Sequence, residues 1–559
     1  MMRYFAFLLF AALFASTARC QTGHIEDVTH TRADTLRGKL RPERTAYDVS
    51  YYDLQIQVDP ERQLLSGYVD IHYRIVEPFD RLQIDLFANM AIDSIVFDDY
   101  YLHYERIEDA VFIDFPHRQR GGRGDFRVYY RGQPHRANLP PWDGGFIWRK
   151  DDTGAPWIGV SCQGIGASLW WPNKDHLSDE PDSMRIGVSV PEGLSCISNG
   201  NLRSVEEEGD YTRFQWFVSY PINNYNVTLY VGRYVHFEDR YTAADGDRLS
   251  LDYYVLPSSL DEARKHFEQV HDVLSCYEQF LDKYPFWRDG YALVEAPYLG
   301  MEHQSAIAYG NKYQQGYMGH TFIPKMDWDY IIVHETGHEY FGNSLSVTDM
   351  AELWIHEAFT TYLEALYVEC RYGFADAVRY LQSQRPRVEN VRPMLGPRDV
   401  NWDELDHNDI YFKGSWMLHT LRHAIADDKL WFDILRGFYR KYALSSVRTE
   451  DFIRWVNEQT GRDFTSFFDQ YLKYPSIPVL EYHLEEDNNG LRFSYRWSAD
   501  VGDFNMPLIL GSKEHGRRIY PVSGQWKQIH LPGTKAEEFA IPLELFYIGL
   551  REVKAIDRE

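Results

Sequence analysis

The spacing of apolar residues along the chain changes twice, and these changes divide it into three regions. From about residue 46 to 240 apolar residues recur at every second position, in segments such as YYDLQIQVD and DFRVYYRG. This period predicts an antiparallel β domain, because side chains alternate between the two faces of a strand. Between about 257 and 475 the period becomes 3.6, which predicts a mostly helical domain. From 479 to 559 short alternating segments return and predict a small β-sandwich.

The predicted fold class is therefore a multidomain α+β protein. An N-terminal segment at 1–20 precedes a β domain at 21–240, a mostly helical domain at 241–475 and a β-sandwich domain at 476–559. A chain of 559 residues is too long for one core, since single cores stop growing near about 250–300 residues. Apolar residues make up 44% of the chain, which is enough to fill several cores.

Residues 1–20 have the pattern of a secretory signal peptide. The apolar run from Tyr4 to Phe14 is too short to span a membrane, and Ala18 and Cys20 fit the small-residue rule for cleavage. The alternative is a lipoprotein anchored through Cys20, which Arg19 disfavours as the preceding residue. No later apolar run is long enough to span a membrane, so we expect a soluble mature chain that is periplasmic or secreted.

Charge and cysteine content narrow the classes of partner and of site. The formal net charge of -25 disfavours nucleic acids and anionic membranes as partners. An exported chain permits disulfides, but the scattered cysteines fix no pairing and have no metal-ligand spacing, so we expect buried free thiols. These cysteines are Cys162, Cys196, Cys276 and Cys370.

Candidate metal ligands are concentrated in residues 331–364. His334 and His338 lie four residues apart, and therefore one turn apart on one helix face, as in the zinc-binding pattern His-Glu-x-x-His. Glu335 is placed to take a proton from a water beside the metal. Glu357, early in a second helical segment, supplies the third ligand. Two histidines and one glutamate leave a fourth position open, which is the pattern of a catalytic zinc site and not of a structural one.

A further carboxylate and the surrounding motif strengthen this prediction. Glu364 lies two turns beyond Glu357 on the same helix face, where it can hydrogen-bond a ligand histidine. The segments HETGH, EYFGN and WIHEAFTTYLE resemble the gluzincin aminopeptidases of the aminopeptidase N family, whose usual forms are HExxH-x-W-F-G-N and W-L-N-E-G-F-A. The chain departs from these forms at Tyr340, His356 and Ala358, and none of the three is a metal ligand.

The resemblance implies a domain plan that agrees with the periodicity. It implies a saddle-shaped N-terminal β domain, a thermolysin-like catalytic domain that holds one zinc ion per chain, and a small C-terminal β-sandwich. Longer family members continue into a large helical domain that roofs the active site. This chain ends before such a domain, so the resemblance implies a short form with a more open site.

The segment LGMEH at 299–303 resembles the exopeptidase motif of the family, usually Gly-x-Met-Glu-Asn. The resemblance implies that Glu302 binds the α-ammonium of the substrate, with Gly300 and Met301 in the same substrate-binding set. Tyr298 falls where the family shapes its first specificity pocket. The alternative for Glu302 is a solvated acid at a strand edge.

Two other segments resemble parts of the family's active site. In SCQGIGASLWWPNKD (161–175), Gln163 is implied to contact the substrate amine and the first side-chain pocket; the alternative is a polar residue in a glycine-rich turn. In NDIYFKGSWMLHTLRHAI (408–425), Tyr411 is implied to stabilise the tetrahedral oxyanion. The alternative is an aromatic core residue, since the chain contains 41 tyrosines.

The expected function is that of an exported zinc aminopeptidase acting on peptides with a free N-terminus. Two enzyme alternatives stay open: a thermolysin-like endopeptidase and an epoxide-hydrolysing relative. An alternative of another class is a catalytically inactive exported binding protein that keeps the fold. The intact zinc and base residues argue against this last alternative.

Overall fold

The computed structural model describes residues 30–324, 326–401, 407–510 and 516–556. The predicted signal peptide, including Cys20, lies outside the described residues. Two short helices, Arg32–Gly38 and Pro42–Thr45, precede the first strand.

The N-terminal domain is built mainly from strands. The order across its eight-stranded sheet, by first residue, is Asn201, Tyr211, Ser183, Tyr47, Leu64, Arg123, Met90 and Tyr100. A four-stranded and a three-stranded sheet complete the domain. The strands in chain order are Tyr47–Asp59, Leu64–Ile75, Phe79–Asp85, Met90–Phe97, Tyr100–Tyr101, His103–Ile107, Ala110–Gln119, Arg123–Gly132, Gly145–Lys150, Pro156–Ser161, Ser183–Pro191, Ser195–Ser198, Asn201–Glu208, Tyr211–Val218 and Leu229–Gly232.

One pair of strands departs from the predicted antiparallel arrangement. Tyr47–Asp59 forms an antiparallel hairpin with Leu64–Ile75, but on its other side it pairs parallel to Ser183–Pro191. Parallel pairing needs a long connection, and here most of the domain lies between the two strands. The two-residue period could not predict this, because it reports which face a side chain takes and not the direction of the neighbouring strand.

The middle region of the chain begins with a five-stranded sheet, followed by helices. The strand Val235–Thr242 runs across the predicted boundary at 240. The sheet order is Val235–Thr242, Arg248–Val255, Tyr291–Glu295, Ile307–Tyr309 and Gly300–Met301. The helices are Leu260–His266, Gln269–Phe280, Tyr330–Tyr340, Trp354–Tyr372, Phe374–Gln384, Phe412–Ile425, Asp428–Tyr442, Thr449–Thr460 and Thr465–Lys473, and the strands Leu345–Val347 and Ser445–Val447 pair in parallel.

Two of these helices carry the predicted metal ligands, and we call them the histidine helix (Tyr330–Tyr340) and the glutamate helix (Trp354–Tyr372). The histidine helix begins at Asp329, whose side chain accepts a hydrogen bond from the amide of Ile331. Every residue of this helix is buried. The glutamate helix ends at Gly373, whose φ of 92° favours glycine.

The C-terminal region consists of a four-stranded sheet and a two-stranded ribbon. The sheet order is Lys527–Pro532, Gly490–Ser498, Val479–Asp487 and Gly549–Glu552, and the ribbon pairs Leu508–Leu510 with Arg517–Ile519. Trp497 of the sheet and Trp416 of the helix Phe412–Ile425 belong to one continuous apolar cluster, so this region shares a core with the helices.

The five-stranded sheet lies between two cores. Leu293 and Ile307 pack with the helices, whereas Val294 and Ala308, their neighbours in sequence, pack with the N-terminal β domain. This alternation is the two-residue period of a strand with both faces buried. Packing on both faces of the sheet holds the loop between residues 301 and 307 in place, and this loop contains Glu302.

The cysteine prediction is half wrong. Cys276 and Cys370 form a disulfide that joins the helix Gln269–Phe280 to the glutamate helix. Cys162 and Cys196 are buried and free, as expected. The pairing depends on how two helices 94 residues apart pack, which the spacing of cysteines does not encode. Among the helices of the described residues, none has the length and apolar character needed to cross a bilayer.

Candidate active site

Three side chains from the two helices converge on one point. His334 and His338 lie one turn apart on the histidine helix, and their Nε2 atoms are 3.2 Å apart. The Oε2 atom of Glu357, in the first turn of the glutamate helix, is 3.3 Å from His338 Nε2 and 3.8 Å from His334 Nε2. All three potential ligand atoms lie within 4.8 Å of one another. This spacing is that of ligands around one metal ion.

The hydrogen bonds around these side chains fit a bound cation. Glu357 Oε2 is buried and has no hydrogen-bond partner among the described residues, which is unfavourable for a carboxylate oxygen unless a cation neutralises it. His334 directs Nδ1 to Glu364, and His338 directs Nδ1 to the carbonyl of Phe341, at 2.6 and 3.0 Å. Both Nε2 atoms are therefore left for the metal. Two imidazoles and one carboxylate are the ligand set of catalytic zinc.

Glu364 is held in place from a neighbouring helix. Tyr380 donates its hydroxyl to Oε2 at 2.6 Å, and Gln384 donates its amide to the same atom at 3.3 Å. Both lie on the helix Phe374–Gln384, which follows the glutamate helix directly. Tyr380 and Gln384 could not be predicted from sequence, because no motif surrounds them and only the packing of the two helices brings them near Glu364.

Glu335 lies beside the predicted metal ligands, in a space that is open because residue 300 is a glycine. A Cβ atom at position 300 would lie 2.5 Å from Glu335 Oε1 and 2.9 Å from Cγ2 of Ile331. The backbone of the strand Gly300–Met301 therefore passes directly over the Glu335 carboxylate. Burial raises the pKa of Glu335 to about 7, against the opposing effect of His334 and His338.

Glu302 lies deep in the site and not at a solvated strand edge. Its side chain is buried, and one carboxylate oxygen lies within 4.8 Å of ligand atoms of Glu335 and His338. Tyr225 donates to Oε1 at 3.2 Å, and Asn343 donates to the Glu302 carbonyl at 2.7 Å. Burial raises the pKa of Glu302. The solvated-acid alternative is therefore wrong.

His303 stands where the usual motif has Asn, and its contacts show how the fold accommodates this histidine. His303 Nδ1 is 2.7 Å from the hydroxyl of Tyr230, a residue of the N-terminal β domain. Burial lowers the pKa of His303 to about 3, so the ring stays neutral. Ser305 also anchors the loop, because its amide donates to Glu339 at 2.9 Å.

Tyr411 lies directly before the helix Phe412–Ile425, with its ring 6.3 Å from the ring of His334. Burial and the Glu357 carboxylate raise the pKa of Tyr411 well above its ordinary value, so the phenol keeps its proton at neutral pH. Lys413 Nζ donates to the carbonyls of Tyr474 and Pro475, at 2.8 and 2.7 Å, and anchors the start of this helix.

Of the other residues predicted to contact the substrate, Gln163 and Met301 line the cleft and Tyr298 does not. Gln163 lines the cleft and donates to Glu357 Oε1 at 3.4 Å, and Met301 also lines it. The structure does not bring Tyr298 to the cleft wall. Tyr298 is buried in the core of the N-terminal domain, where its hydroxyl donates to the carbonyl of Val160 at 3.0 Å. Tyr298 lies in the bend between the strands Tyr291–Glu295 and Gly300–Met301, and its side chain turns into that core and not into the cleft.

The cleft above the metal ligands has a volume of about 630 Å³. Its wall includes residues that the sequence did not single out, because they come from separate loops and carry no motif. These residues include Trp142, Tyr317, His320, Phe322 and Arg387.

The fold and the site together have the arrangement of a zinc-binding His-Glu-x-x-His centre, and comparisons with known proteins show what the chain is similar to. Residues 265–471 match the Peptidase family M1 domain. Aminopeptidase N of Streptomyces lividans is 26% identical over 57% of this chain and 38% of its own length. Aminopeptidase M1-D of Oryza sativa subsp. japonica is 22% identical over 60% of this chain and 40% of its own length.

A solved structure shows the same fold. The M1 zinc metallopeptidase of Deinococcus radiodurans, in a mutant bound to a Tyr-Ser-Ala substrate, is 20% identical with a TM-score of 0.63. The match covers 77% of this chain and 95% of that one. The match to the two aminopeptidases of Streptomyces lividans and Oryza sativa covers about two fifths of the length of each. The match of residues 265–471 to the Peptidase family M1 domain, together with these relatives, confirms the resemblance to the aminopeptidase N family.

Proposed function

We propose that this protein is an exported zinc aminopeptidase that removes the N-terminal residue of peptides with a free α-amine. The observation that carries the proposal is the position of Glu302. Its buried carboxylate lies beside both Glu335 and His338, where it can bind an ammonium group next to the reacting carbonyl. A charge-assisted bond of this kind favours a free N-terminus over a blocked or internal peptide.

His334, His338 and Glu357 would hold one zinc ion per chain. When bound, zinc acidifies water and polarises a carbonyl as a Lewis acid. The contacts of Glu364, Tyr380 and the Phe341 carbonyl keep the two imidazole rings in the orientation that this role requires.

The remaining steps belong to side chains of this protein. Glu335 accepts the proton of the attacking water and delivers it to the leaving amine, a role that suits a carboxylate whose pKa burial raises to about 7. Tyr411 keeps its phenolic proton and donates a hydrogen bond to the oxygen that gains negative charge. Gln163 and Met301 line the cleft where the first residue of the substrate lies.

The comparisons support this substrate class. The curated relatives are named aminopeptidases, and the Deinococcus radiodurans structure is described with a Tyr-Ser-Ala substrate. The disulfide between Cys276 and Cys370 supports the export part of the proposal, since disulfides persist in oxidising compartments.

The experiment that tests the proposal is hydrolysis of aminoacyl-nitroanilides beside N-acetylated peptides, with and without a chelator. We expect chelator-sensitive hydrolysis of the free-amine substrates and little cleavage of the acetylated ones. Equal cleavage of both would favour an endopeptidase. Zinc-loaded protein with no turnover on any of them would favour the inactive binding protein.

A further inference from the structure

Arg387 has an unusual position in the cleft. Among the cleft-lining residues that the structure describes, it is the only arginine or lysine. It ends the short 3-10 turn Arg385–Arg387, and its side chain is exposed. The guanidinium carbon lies 4.3 Å from the ring centre of Phe322 and 5.6 Å from that of Phe412. Two aromatic faces therefore hold the charged group in place.

The charge of Arg387 has no acidic partner in the described part of the chain. Its contacts there are with aromatic rings, whereas nearby Arg385 donates to the backbone carbonyls of Leu543 and Ile548. The protein has a formal net charge of -25, so its net charge repels anions. A planar guanidinium whose donors have no hydrogen-bond partner among the described residues is suited to bind a carboxylate through two hydrogen bonds.

A series of ring contacts places Arg387 within a few residues' reach of the metal ligands. The ring of His334 stacks on Tyr330 at 5.2 Å, Tyr330 packs against Phe322 at 5.8 Å, and Phe322 lies under Arg387. Phe412, the second aromatic partner, directly follows Tyr411. An extended peptide spans about 3.3–3.6 Å per residue, so a chain of a few residues covers this distance.

The cleft therefore carries opposite charges for the two ends of a short peptide, since Glu302 and Arg387 both line it. We propose that Arg387 binds the C-terminal carboxylate of the substrate, which makes the enzyme selective for short peptides of about two to four residues. This inference rests on the proposed aminopeptidase function. It adds a second anchor that the motifs do not include.

The test compares trialanine with trialanine amide, which differ only in the C-terminal carboxylate. The parent enzyme, loaded with zinc, is expected to prefer the free acid in kcat/KM by about five- to fiftyfold, with a smaller ratio at high salt. In Arg387→Met the ratio should fall to near one. Arg387→Lys should give an intermediate ratio, because lysine keeps the positive charge but lacks the paired N–H donors that bind a carboxylate through two hydrogen bonds.

A matched control is Arg379→Met on the preceding helix, where an exposed arginine is paired with Asp376. This variant should keep the parent ratio. Because the ratio is measured within one protein, partial misfolding of a variant cancels. Equal hydrolysis of acid and amide by the parent would overturn the inference, as would an Arg387→Met variant that keeps the full preference.

A third substrate separates the two proposals. Alanine nitroanilide has a free amine and no carboxylate, so its hydrolysis reports the aminopeptidase function alone. If the parent hydrolyses it without preferring trialanine over the amide, the Arg387 proposal fails and the proposed function stands. If the parent hydrolyses none of the three substrates, the proposed function fails and the inference fails with it.

Discussion

The Glu335 carboxylate lies so close to the backbone of Gly300 that only a residue without a side chain fits at position 300. A Cβ atom at position 300 would lie 2.5 Å from Glu335 Oε1. The glycine of the LGMEH segment thus makes room for the carboxylate that we propose transfers the proton, and it adjoins the loop that we propose binds the substrate. This relationship joins the segment that contains Glu302 to the histidine helix.

Gly300→Ala should therefore lower both activity and stability. The added methyl group displaces the flexible end of Glu335 and presses on Ile331, so we expect kcat to fall at least about tenfold, with the free energy of unfolding changed by about 1–3 kcal/mol. Gly502→Ala is the matched control, because a Cβ there meets nothing within 4 Å. An unchanged kcat in Gly300→Ala would show that the carboxylate position does not depend on this contact.

Glu335→Gln should retain zinc and lose at least about a hundredfold in kcat, the usual contribution of a general base. The amide is nearly isosteric and is not one of the three converging ligands. Metal analysis and steady-state kinetics on the same preparation check both parts. Turnover within a few-fold of the parent would remove Glu335 from the mechanism.

Glu364→Gln should weaken zinc binding by about ten- to a hundredfold, because a neutral amide accepts the His334 hydrogen bond less well than a carboxylate. Tyr380→Phe, which removes one donor to Glu364, should have a smaller effect. Competition with a chelator of known affinity measures both. Equal zinc affinity in the parent and Glu364→Gln would contradict this role for the carboxylate.

Tyr411→Phe should raise the activation barrier by about 2–4 kcal/mol with little change in KM, since an oxyanion donor acts mainly in the transition state. Thermal unfolding provides the control. If Tyr411 served only in packing, the variant would lose melting temperature and show a modest kinetic change instead.

The parts of the site that depend on local spacing could be predicted from sequence, and those that depend on packing between distant segments could not. His334 and His338 follow from helix periodicity, and Glu357 from a second periodic segment. The disulfide at Cys276 and the cleft position of Arg387 arise from contacts between segments far apart in the chain. Tyr298 was misplaced because a motif gives the position of a residue in the chain and not the direction of its side chain in the folded structure.

The same distinction applies to the fold. The change of period from 2 to 3.6 identified the strand-rich and helical regions, because period follows directly from backbone geometry. It could not show that Tyr47–Asp59 pairs parallel to Ser183–Pro191, or that the C-terminal strands share a core with the helices. Those features depend on which surfaces meet after the elements have formed.

The most direct test of the account is the discrimination between free and N-acetylated peptides in the parent and in Glu302→Ala. The carboxylate is expected to contribute a charge-assisted bond to the substrate ammonium, so the variant should lose about ten- to a hundredfold in kcat/KM on free-amine peptides. Cleavage of the acetylated peptide, already low, should hardly change, and the discrimination should collapse. A parent enzyme that cleaves both peptides equally well would contradict the account.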